Sequence, residues 1–283
     1  MIIKIKKEIK RNLRRFSDFR QILRWAKDID TVPRDRLNHA IWMNDHSAWL
    51  SETKDRFAGQ DVVILCNGPS LNKIDFDLLK DKNVIGLNKI HFLLERHPLK
   101  LCFHVAINDL VIEQSIEEFE KLECPSYISM RGFKKLGRSS TRCNLLSTTS
   151  EDEGPHFCTN LVRDPVNEGW TVTFAALQLA YLMGFERVFI TGMDHNFQYS
   201  GKPNEEQQLD QEDANHFDPR YFSGHKWHLP DLEGSEISYA LAKFMYVRKG
   251  RRIIDATIGG HCQIFEKMDF ATAMTECRAT SHR

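Results

Sequence analysis

The 283-residue sequence lacks long apolar runs, internal repeats and low-complexity tracts. No run approaches the roughly 18 apolar residues of a membrane-spanning helix. The basic N-terminus is not followed by the apolar segment of a signal peptide, so we expect neither a membrane span nor a secretion signal. With 41% hydrophobic and 28% charged residues, the composition is that of a soluble globular protein. The length suffices for one large α/β domain, or for a domain with a smaller subdomain.

Paired cysteines and metal-ligand motifs are also missing. The seven cysteines are scattered, are odd in number and form no Cys-x-x-Cys motif, which predicts free thiols in a reducing cytoplasm. No His and Cys spacing typical of zinc sites occurs. Asp28-Ile29-Asp30 and Asp75-Phe76-Asp77 match the Asp-x-Asp pattern of metal-dependent glycosyltransferases, but neither stands at the carboxyl end of a predicted strand. We therefore predict no metal site.

The formal net charge is zero, but it is unevenly distributed. Residues 1–27 contain ten Lys and Arg against Glu8 and Asp18, about +8, so the remainder carries about −8. The same segment places apolar residues at helical spacings of three and four: Ile2, Ile5, Ile9, Leu13, Phe16, Phe19 and Leu23. This pattern predicts a basic amphipathic helix that lies on an anionic membrane surface, docks on an acidic partner or packs on the main domain. Nucleic acid is not an expected partner, because phosphates would repel the acidic remainder.

One stretch combines a buried strand with a turn. Residues 61–66, Asp-Val-Val-Ile-Leu-Cys, are typical of a parallel strand covered on both faces. Asn67-Gly68-Pro69-Ser70 then breaks the run. Gly68 would allow close approach of a ligand, and Ser70 would cap a following helix. Such a turn predicts a phosphate site built from backbone N–H groups and a helix dipole.

Three early strands of the sequence end in asparagine: Asn67, Asn88 and Asn108. A later strand, residues 187–191, leads into Gly192-Met193-Asp194-His195. Because ligands bind outside the carboxyl ends of parallel strands, we expect these side chains at a shared rim. Asparagine amides offer both donors and acceptors to a base, a ribose or a phosphate.

The alternation of strands and helices predicts an α/β fold. We expect a Rossmann-like open, mostly parallel sheet with helices on both faces. Residues 1–56 form an N-terminal helical extension, 57–265 the nucleotide-binding domain and 266–283 a C-terminal tail. Within the domain, residues 197–230 are polar and contain aromatic residues, which predicts a lid over the substrate. Residues 131–168 are expected to be an irregular segment whose cations either face an anionic ligand or are solvated.

The order of these motifs resembles two related groups of proteins over about residues 58–265. The similarity is carried by Asn67-Gly68-Pro69-Ser70-Leu71, Asn88, Gly184-Phe185, Gly192-Met193-Asp194-His195-Asn196-Phe197, Asn215-His216-Phe217-Asp218-Pro219 and Trp227-His228-Leu229-Pro230-Asp231-Leu232. One group is the bacterial sialyltransferases that use CMP-sialic acid. The other is the 6-hydroxymethylpterin pyrophosphokinase-like family, which also supplies the core of the motility-accessory-factor glycosyltransferases.

The resemblance implies a role for particular residues of this sequence. The nucleotide-binding residues would be Asn67, Gly68, Pro69, Ser70, Asn88, Asn108, Thr173 and Gly192. Tyr199 and Tyr221 would stabilise the departing phosphate, and no metal or other cofactor is implied. The general base would be a histidine near the end of the lid. His228 lies nearest that place, and His195, His216 and His225 compete for the role. The resemblance places Asp194 in the nucleotide pocket, and we also include it among the catalytic candidates.

These considerations predict a glycosyltransferase that moves an acidic, sialic-acid-like sugar from a CMP donor to a glycan or a lipid-linked acceptor. Such a reaction needs a base for the acceptor hydroxyl and charge neutralisation at the phosphate. We expect it in the cytoplasm, with peripheral attachment to the inner face of the membrane through residues 2–27. A first alternative is Mg²⁺-dependent diphosphate transfer from ATP to a pterin alcohol, with Asp109 and Asp194 as ligands. A second is a non-catalytic nucleotide- or glycan-binding subunit of envelope assembly.

Overall fold

A computed structural model describes residues 34–46, 52–137, 140, 142–150 and 156–280. The predicted basic helix of residues 2–27 and the Asp28–Asp30 pair lie outside these residues. Within the described part of the chain, no helix is long and apolar enough to span a bilayer.

An eight-stranded parallel sheet forms the centre of the fold and confirms the predicted α/β class. Its strands are β1 Asp61–Leu65, β2 Val84–Leu87, β3 Phe103–Ala106, β4 Ser126–Ser129, β5 Cys143–Leu146, β8 Arg187–Thr191, β11 Arg252–Asp255 and β12 Glu266–Lys267. The spatial order is β12-β11-β8-β1-β2-β3-β4-β5. The chain therefore moves outward from β1 in one direction and returns to β8 on the other side. This reversal makes the β1–β8 boundary a topological switch point.

Helices cover both faces of the sheet. They are α1 Arg34–Asp45, α2 His91–Leu94, α3 Asp109–Phe119, α4 Met130–Lys134, α5 Val172–Leu182, α6 Leu232–Val247 and α7 Phe270–Glu276. Side chains of β1 alternate between two hydrophobic clusters. Val62 and Ile64 pack in one cluster with residues of α5 and α6, and Val63 and Leu65 pack in the other with residues of α3 and α7. All five residues of β1 are buried, as expected for a strand covered on both faces.

The segment predicted as a lid, residues 197–230, contains an antiparallel hairpin. Its strands are β9 Glu206–Leu209 and β10 His225–His228. Tyr221 is fully buried and Phe217 nearly so. Both belong to the hydrophobic cluster that contains Val63 and Leu65 and residues of α3 and α7. The Phe217 N–H donates to the Asn67 carbonyl at 2.9 Å. Part of the segment is therefore hydrophobic core that is bonded to the loop after β1.

Two predicted regions differ from the structure. Residues 131–168, expected to be irregular, contain most of α4, the strand β5 and a small parallel pair, β6 Thr148–Thr149 with β7 Val166–Asn167. Residues 266–283, expected to be a tail, supply β12 and α7. Two-residue strands are too short to produce an alternating pattern, so the sequence carried no signal for β6, β7 or β12.

Candidate active site

A cavity of about 600 Å³ opens at the carboxyl edge of β1, β2, β3 and β8. Its volume lies in the range of small-molecule sites. The loops after these four strands form its floor, the first residues of α5 and α6 form one wall, and the 197–230 segment forms another. The cavity thus occupies the switch point, where the topology separates neighbouring loops.

The structure brings together the side chains expected at a shared rim. Asn67, Asn88, Asn108 and Asp194 all line the cavity. The Oδ1 atoms of Asn67 and Asn88 are buried and have no hydrogen-bond partner among the described residues. Buried carbonyl oxygens are rarely left unpaired, so these two acceptors are suited to donors on a ligand. Gly68, Thr173 and Gly192, also predicted as nucleotide-binding, lie on the cavity wall.

The turn after β1 does not offer the predicted backbone phosphate site. The Gly68 N–H donates to the Gly192 carbonyl at 2.8 Å. Ser70 donates its N–H and its hydroxyl to the Asp194 carboxylate, at 3.1 and 2.6 Å. Pro69 and Ser70 do not line the cavity, and Ser70 lies inside a five-residue 3-10 helix instead of capping an α-helix. The carboxylate of Asp194 therefore accepts the hydrogen bonds of the Ser70 N–H and hydroxyl, which a phosphate would otherwise have accepted.

Close contact between two loops explains the glycine at position 68. A Cβ atom built on Gly68 would lie 2.0 Å from Oδ2 of Asp194 and 2.7 Å from the Gly192 carbonyl oxygen. The φ angle of Gly68 is −74°, which any residue can adopt. The sequence predicted the close approach of a ligand at Gly68, and the structure shows that Asp194 of the same chain makes a close contact there.

His216 is paired with a buried carboxylate. Its Nδ1 lies 2.8 Å from Oδ2 of Asp213, and both side chains are nearly inaccessible to solvent. Because a carboxylate only accepts hydrogen bonds, Nδ1 carries the proton and the lone pair of the neutral ring is on Nε2. His216 lines the cavity, and Nε2 makes no hydrogen bond with the described residues. This arrangement is that of a general base with an orienting acid.

His228 has the opposite hydrogen-bond pattern. Oδ1 of Asn108 accepts from the Val111 N–H at 3.2 Å, which fixes the orientation of the amide. Its Nδ2 therefore donates to Nδ1 of His228, at 3.1 Å. The neutral ring then carries its proton on Nε2 and can donate a hydrogen bond. His228 also lines the cavity, at the end of β10.

His195 is the third histidine on the cavity wall. Its Nε2 lies 3.1 Å from Oε1 of Glu236, a half-exposed residue of α6. Its backbone has a φ of 52°, an uncommon conformation for a residue other than glycine. These three histidines therefore share one cavity but differ in hydrogen bonding.

The two tyrosines expected at the leaving phosphate lie outside the cavity wall. Tyr221 is fully buried, and burial raises the pKa of its phenol. Its hydroxyl accepts from the Lys89 N–H at 3.3 Å. Tyr199 is partly exposed and donates to the Pro230 carbonyl at 3.2 Å. The ring of Tyr221 packs in the hydrophobic cluster that contains Val63 and Leu65, which explains why it does not line the cavity.

Lys89 is a buried cation that sequence reasoning missed. Its Nζ donates to the Tyr221 carbonyl at 2.5 Å and to Oε1 of Gln114 at 2.7 Å, and it lies 4.7 Å from the centre of the Phe222 ring. Burial lowers its pKa to about 8, although the Asp213 charge opposes this shift. Lys89 thus ties the segment that carries His216 to the end of β2. The only available signal was its position directly after Asn88.

A charged wall faces the cavity beside β3 and β4. Lys135 forms an ion pair with Asp109, and Arg131 donates to Oε2 of Glu168 at 2.7 Å. Ser129 and Thr148 each donate to Oε1 of Glu168 at 2.6 Å, which fixes the carboxylate. Partial burial raises the pKa of Asp109, but Lys135 outweighs this effect and the pKa lies below its ordinary value. All four charged residues line the cavity.

The remaining predictions concern the Asp75-Phe76-Asp77 motif, metal sites and the cysteines. The motif does not line the cavity. Asp75 accepts from the Asp77 N–H at 2.9 Å, and Asp77 pairs with Lys80. The described residues contain no cluster of three or more His, Cys, Asp or Glu side chains that could hold a metal ion. All seven cysteines are free.

Comparisons with known proteins found little similarity. No protein-family model matches the sequence, and no curated protein matches it. Among solved structures, the chain is similar to one described as a MAf glycosyltransferase from Magnetospirillum magneticum AMB-1, with a TM-score of 0.46 and 12% sequence identity. The match covers 87% of this chain and 43% of that chain, so this chain spans less than half the length of that protein.

Proposed function

We propose that this protein is a glycosyltransferase that moves an acidic, sialic-acid-like sugar from a CMP donor to a glycan or a lipid-linked acceptor, without a metal ion. The observation that carries the proposal is the His216–Asp213 pair, at 2.8 Å, on the wall of a cavity that also holds two unpaired asparagine oxygens. A base and a nucleotide pocket are the two parts that such a transfer requires.

His216 acts as the general base in this proposal. Its Nε2 takes the proton of the acceptor hydroxyl as the oxygen attacks the anomeric carbon of the donor. Asp213 keeps the ring in the required tautomer and stabilises the imidazolium that forms. The anomeric carbon loses its bond to the phosphate oxygen through an oxocarbenium-like state, and the electron pair leaves with CMP.

The leaving phosphate gains negative charge during this step and needs donors. Because both tyrosines lie off the cavity wall, we assign this role to His228 and Lys135, which line it together. The neutral His228 ring donates from Nε2. The Lys135 ammonium has three N–H donors, so it retains donors for the phosphate beside its ion pair with Asp109. His195 and Asp194 take a structural part here, since Glu236 and Ser70 already bind them.

The nucleotide would bind along Asn67 and Asn88. Both offer an unpaired Oδ1 acceptor, and cytosine and ribose carry the amino and hydroxyl donors that match. The alternative of a pyrophosphokinase would use Asp109 and Asp194 to hold Mg²⁺. Each is engaged already, Asp109 by Lys135 and Asp194 by Ser70, so the residues present do not favour that ion.

A thermal-shift panel with and without EDTA tests the proposal. A ligand of the native state raises the free energy of unfolding by about 2.7 kcal/mol at a hundredfold excess over its Kd. We expect CMP to stabilise the protein in EDTA, and Asn67→Ala and Asn88→Ala to abolish this effect. Asn160→Ala, an exposed asparagine, is the matched control.

Other outcomes would overturn the proposal. Stabilisation by ATP only in the presence of Mg²⁺ would support the pyrophosphokinase. A His216→Ala variant that keeps full function in cells, while Asn67→Ala loses it, would identify a non-catalytic binding subunit. Attachment to the inner face of the membrane is part of the proposal, because lipid-linked acceptors are found there.

A further inference from the structure

Helix α6 exposes an apolar stripe. Ile237, Phe244 and Val247 are exposed by 48, 57 and 63%. They are separated by seven and three residues, so at 100° per residue they share one side of the helix. Leu241, which is half-buried, lies between them on the same side. Exposed apolar residues grouped on one helix face mark an interaction surface more often than single ones do.

The same end of α6 is cationic. From residue 237 to residue 252 the sequence contains five Lys and Arg and no Asp or Glu. Arg248 lies 5.5 Å above the Phe244 ring, and neither it nor Lys249 forms an ion pair with another described residue. Lys243 donates to the Ile264 carbonyl at 2.6 Å. Arg252 forms an ion pair with Glu266 at 2.7 Å, so the cations beside the stripe that lack a counterion among the described residues are Lys243, Arg248 and Lys249.

Charge complementarity selects among the possible occupants of this surface. The N-terminal residues 1–27 have an apolar stripe of their own but carry about +8, which would repel Arg248 and Lys249. A second copy, related by a twofold axis, would bring the same cations together. An anionic bilayer attracts the cations and accepts the apolar side chains.

We propose that the face of α6 formed by Ile237, Leu241, Phe244 and Val247, with Arg248 and Lys249 beside it, binds the surface of an anionic phospholipid bilayer. The first turn of α6 borders the cavity, since Leu232 and Ser235 line it. A helix of 16 residues is about 24 Å long, so contact along α6 holds the cavity next to the headgroups. The functional value of holding the cavity next to the headgroups rests on the proposed transfer to a lipid-linked acceptor.

Co-sedimentation of the full-length protein with vesicles tests the surface. We compare vesicles of phosphatidylcholine with vesicles that also contain phosphatidylglycerol. Phe244→Ser/Val247→Ser removes apolar side chains that would enter the bilayer, and Arg248→Gln/Lys249→Gln removes two cations attracted to its anionic surface. Each variant should lower binding to the anionic vesicles by more than about tenfold. Leu78→Ser and Lys54→Gln/Lys100→Gln, which change exposed residues elsewhere, should bind as the wild type does.

Measuring how deeply residue 244 enters the bilayer distinguishes vesicle binding through α6 from vesicle binding through the N-terminal segment. Phe244→Trp should show additional quenching by brominated acyl chains relative to the wild type. Unchanged vesicle binding by both α6 variants, or no added quenching at residue 244, would overturn the proposal. So would a wild-type dimer that Phe244→Ser/Val247→Ser converts to a monomer. CMP binding is measured in parallel on the same variants, and its absence in the wild type would refute the transferase without affecting the vesicle result.

Discussion

The imidazole ring of His216 lies flat against the phenol ring of Tyr221, with ring centres 4.0 Å apart and planes inclined by 4°. Tyr221 is in turn held by Lys89, whose Nζ donates to its carbonyl at 2.5 Å. Asp213 fixes the edge of the His216 ring and Tyr221 fixes its face. These contacts leave the orientation of Nε2 little freedom, which is what a positioned base requires.

Tyr221→Phe distinguishes this supporting role from direct contact with the leaving phosphate. The phenylalanine ring keeps the stack on His216 and loses the hydrogen bonds of the hydroxyl with the Lys89 N–H and with the Asn88 side chain. We expect the rate of sugar transfer to stay within a few-fold of the wild type and the free energy of unfolding to fall by about 1 kcal/mol. A loss of 10²-fold or more in kcat, typical of a missing transition-state donor, would restore the phosphate role.

Asp213→Asn tests the tautomer of His216. An asparagine can donate to Nδ1, which would move the ring proton to Nε2 and remove the lone pair that acts as base. We expect kcat to fall by roughly 10²-fold or more, as for His216→Ala, with little change in the Kd for CMP. His261→Ala, an exposed histidine outside the cavity, serves as control. If Asp213→Asn retained the wild-type rate, His216 would not be the base.

Lys89→Met tests the buried cation through the pH dependence of stability. Burial lowers the pKa of Lys89 to about 8 from 10.5, so between these values the unfolded chain binds more protons than the folded one. The free energy of unfolding therefore rises with pH in this window, because deprotonation relieves the burial of charge. Relative to Lys89→Met, the wild type should gain up to about 3 kcal/mol, measured by urea unfolding.

The exposed Lys100→Met should show no such trend against the wild type. A difference between wild type and Lys89→Met that stays constant from neutral to alkaline pH would mean that Lys89 does not titrate in this window.

Gly68→Ala tests the contact between the loops after β1 and β8. Its Cβ would lie 2.0 Å from Oδ2 of Asp194, so the two loops must separate. We expect the free energy of unfolding to fall by about 1–3 kcal/mol and CMP binding to weaken. Asp194→Ala removes the nearer clashing group, the carboxylate, and leaves the Gly192 carbonyl oxygen at 2.7 Å, so Gly68→Ala should destabilise that background less but not become neutral. Additive effects of the two substitutions in a double-mutant cycle would contradict the predicted clash.

The sequence by itself determined the sheet and its rim. A short, β-branched apolar run such as 62–65, followed directly by turn residues, is typical of a strand covered on both faces, and parallel strands bring their carboxyl ends together. This is why the sequence predicts Asn67, Asn88, Asn108 and Asp194 at one rim of the sheet. Periodicity of this kind is a local property of the chain.

Only the tertiary structure decided how the polar groups of the cavity are paired. Asp194 binds Ser70, 124 residues away, and thereby takes up the donors of the predicted phosphate site. Tyr221 is buried against Lys89, and Asp213 selects the tautomer of His216. Hydrogen-bond partners from distant segments compete for the same donors and acceptors, and no local pattern in the sequence shows which partner wins.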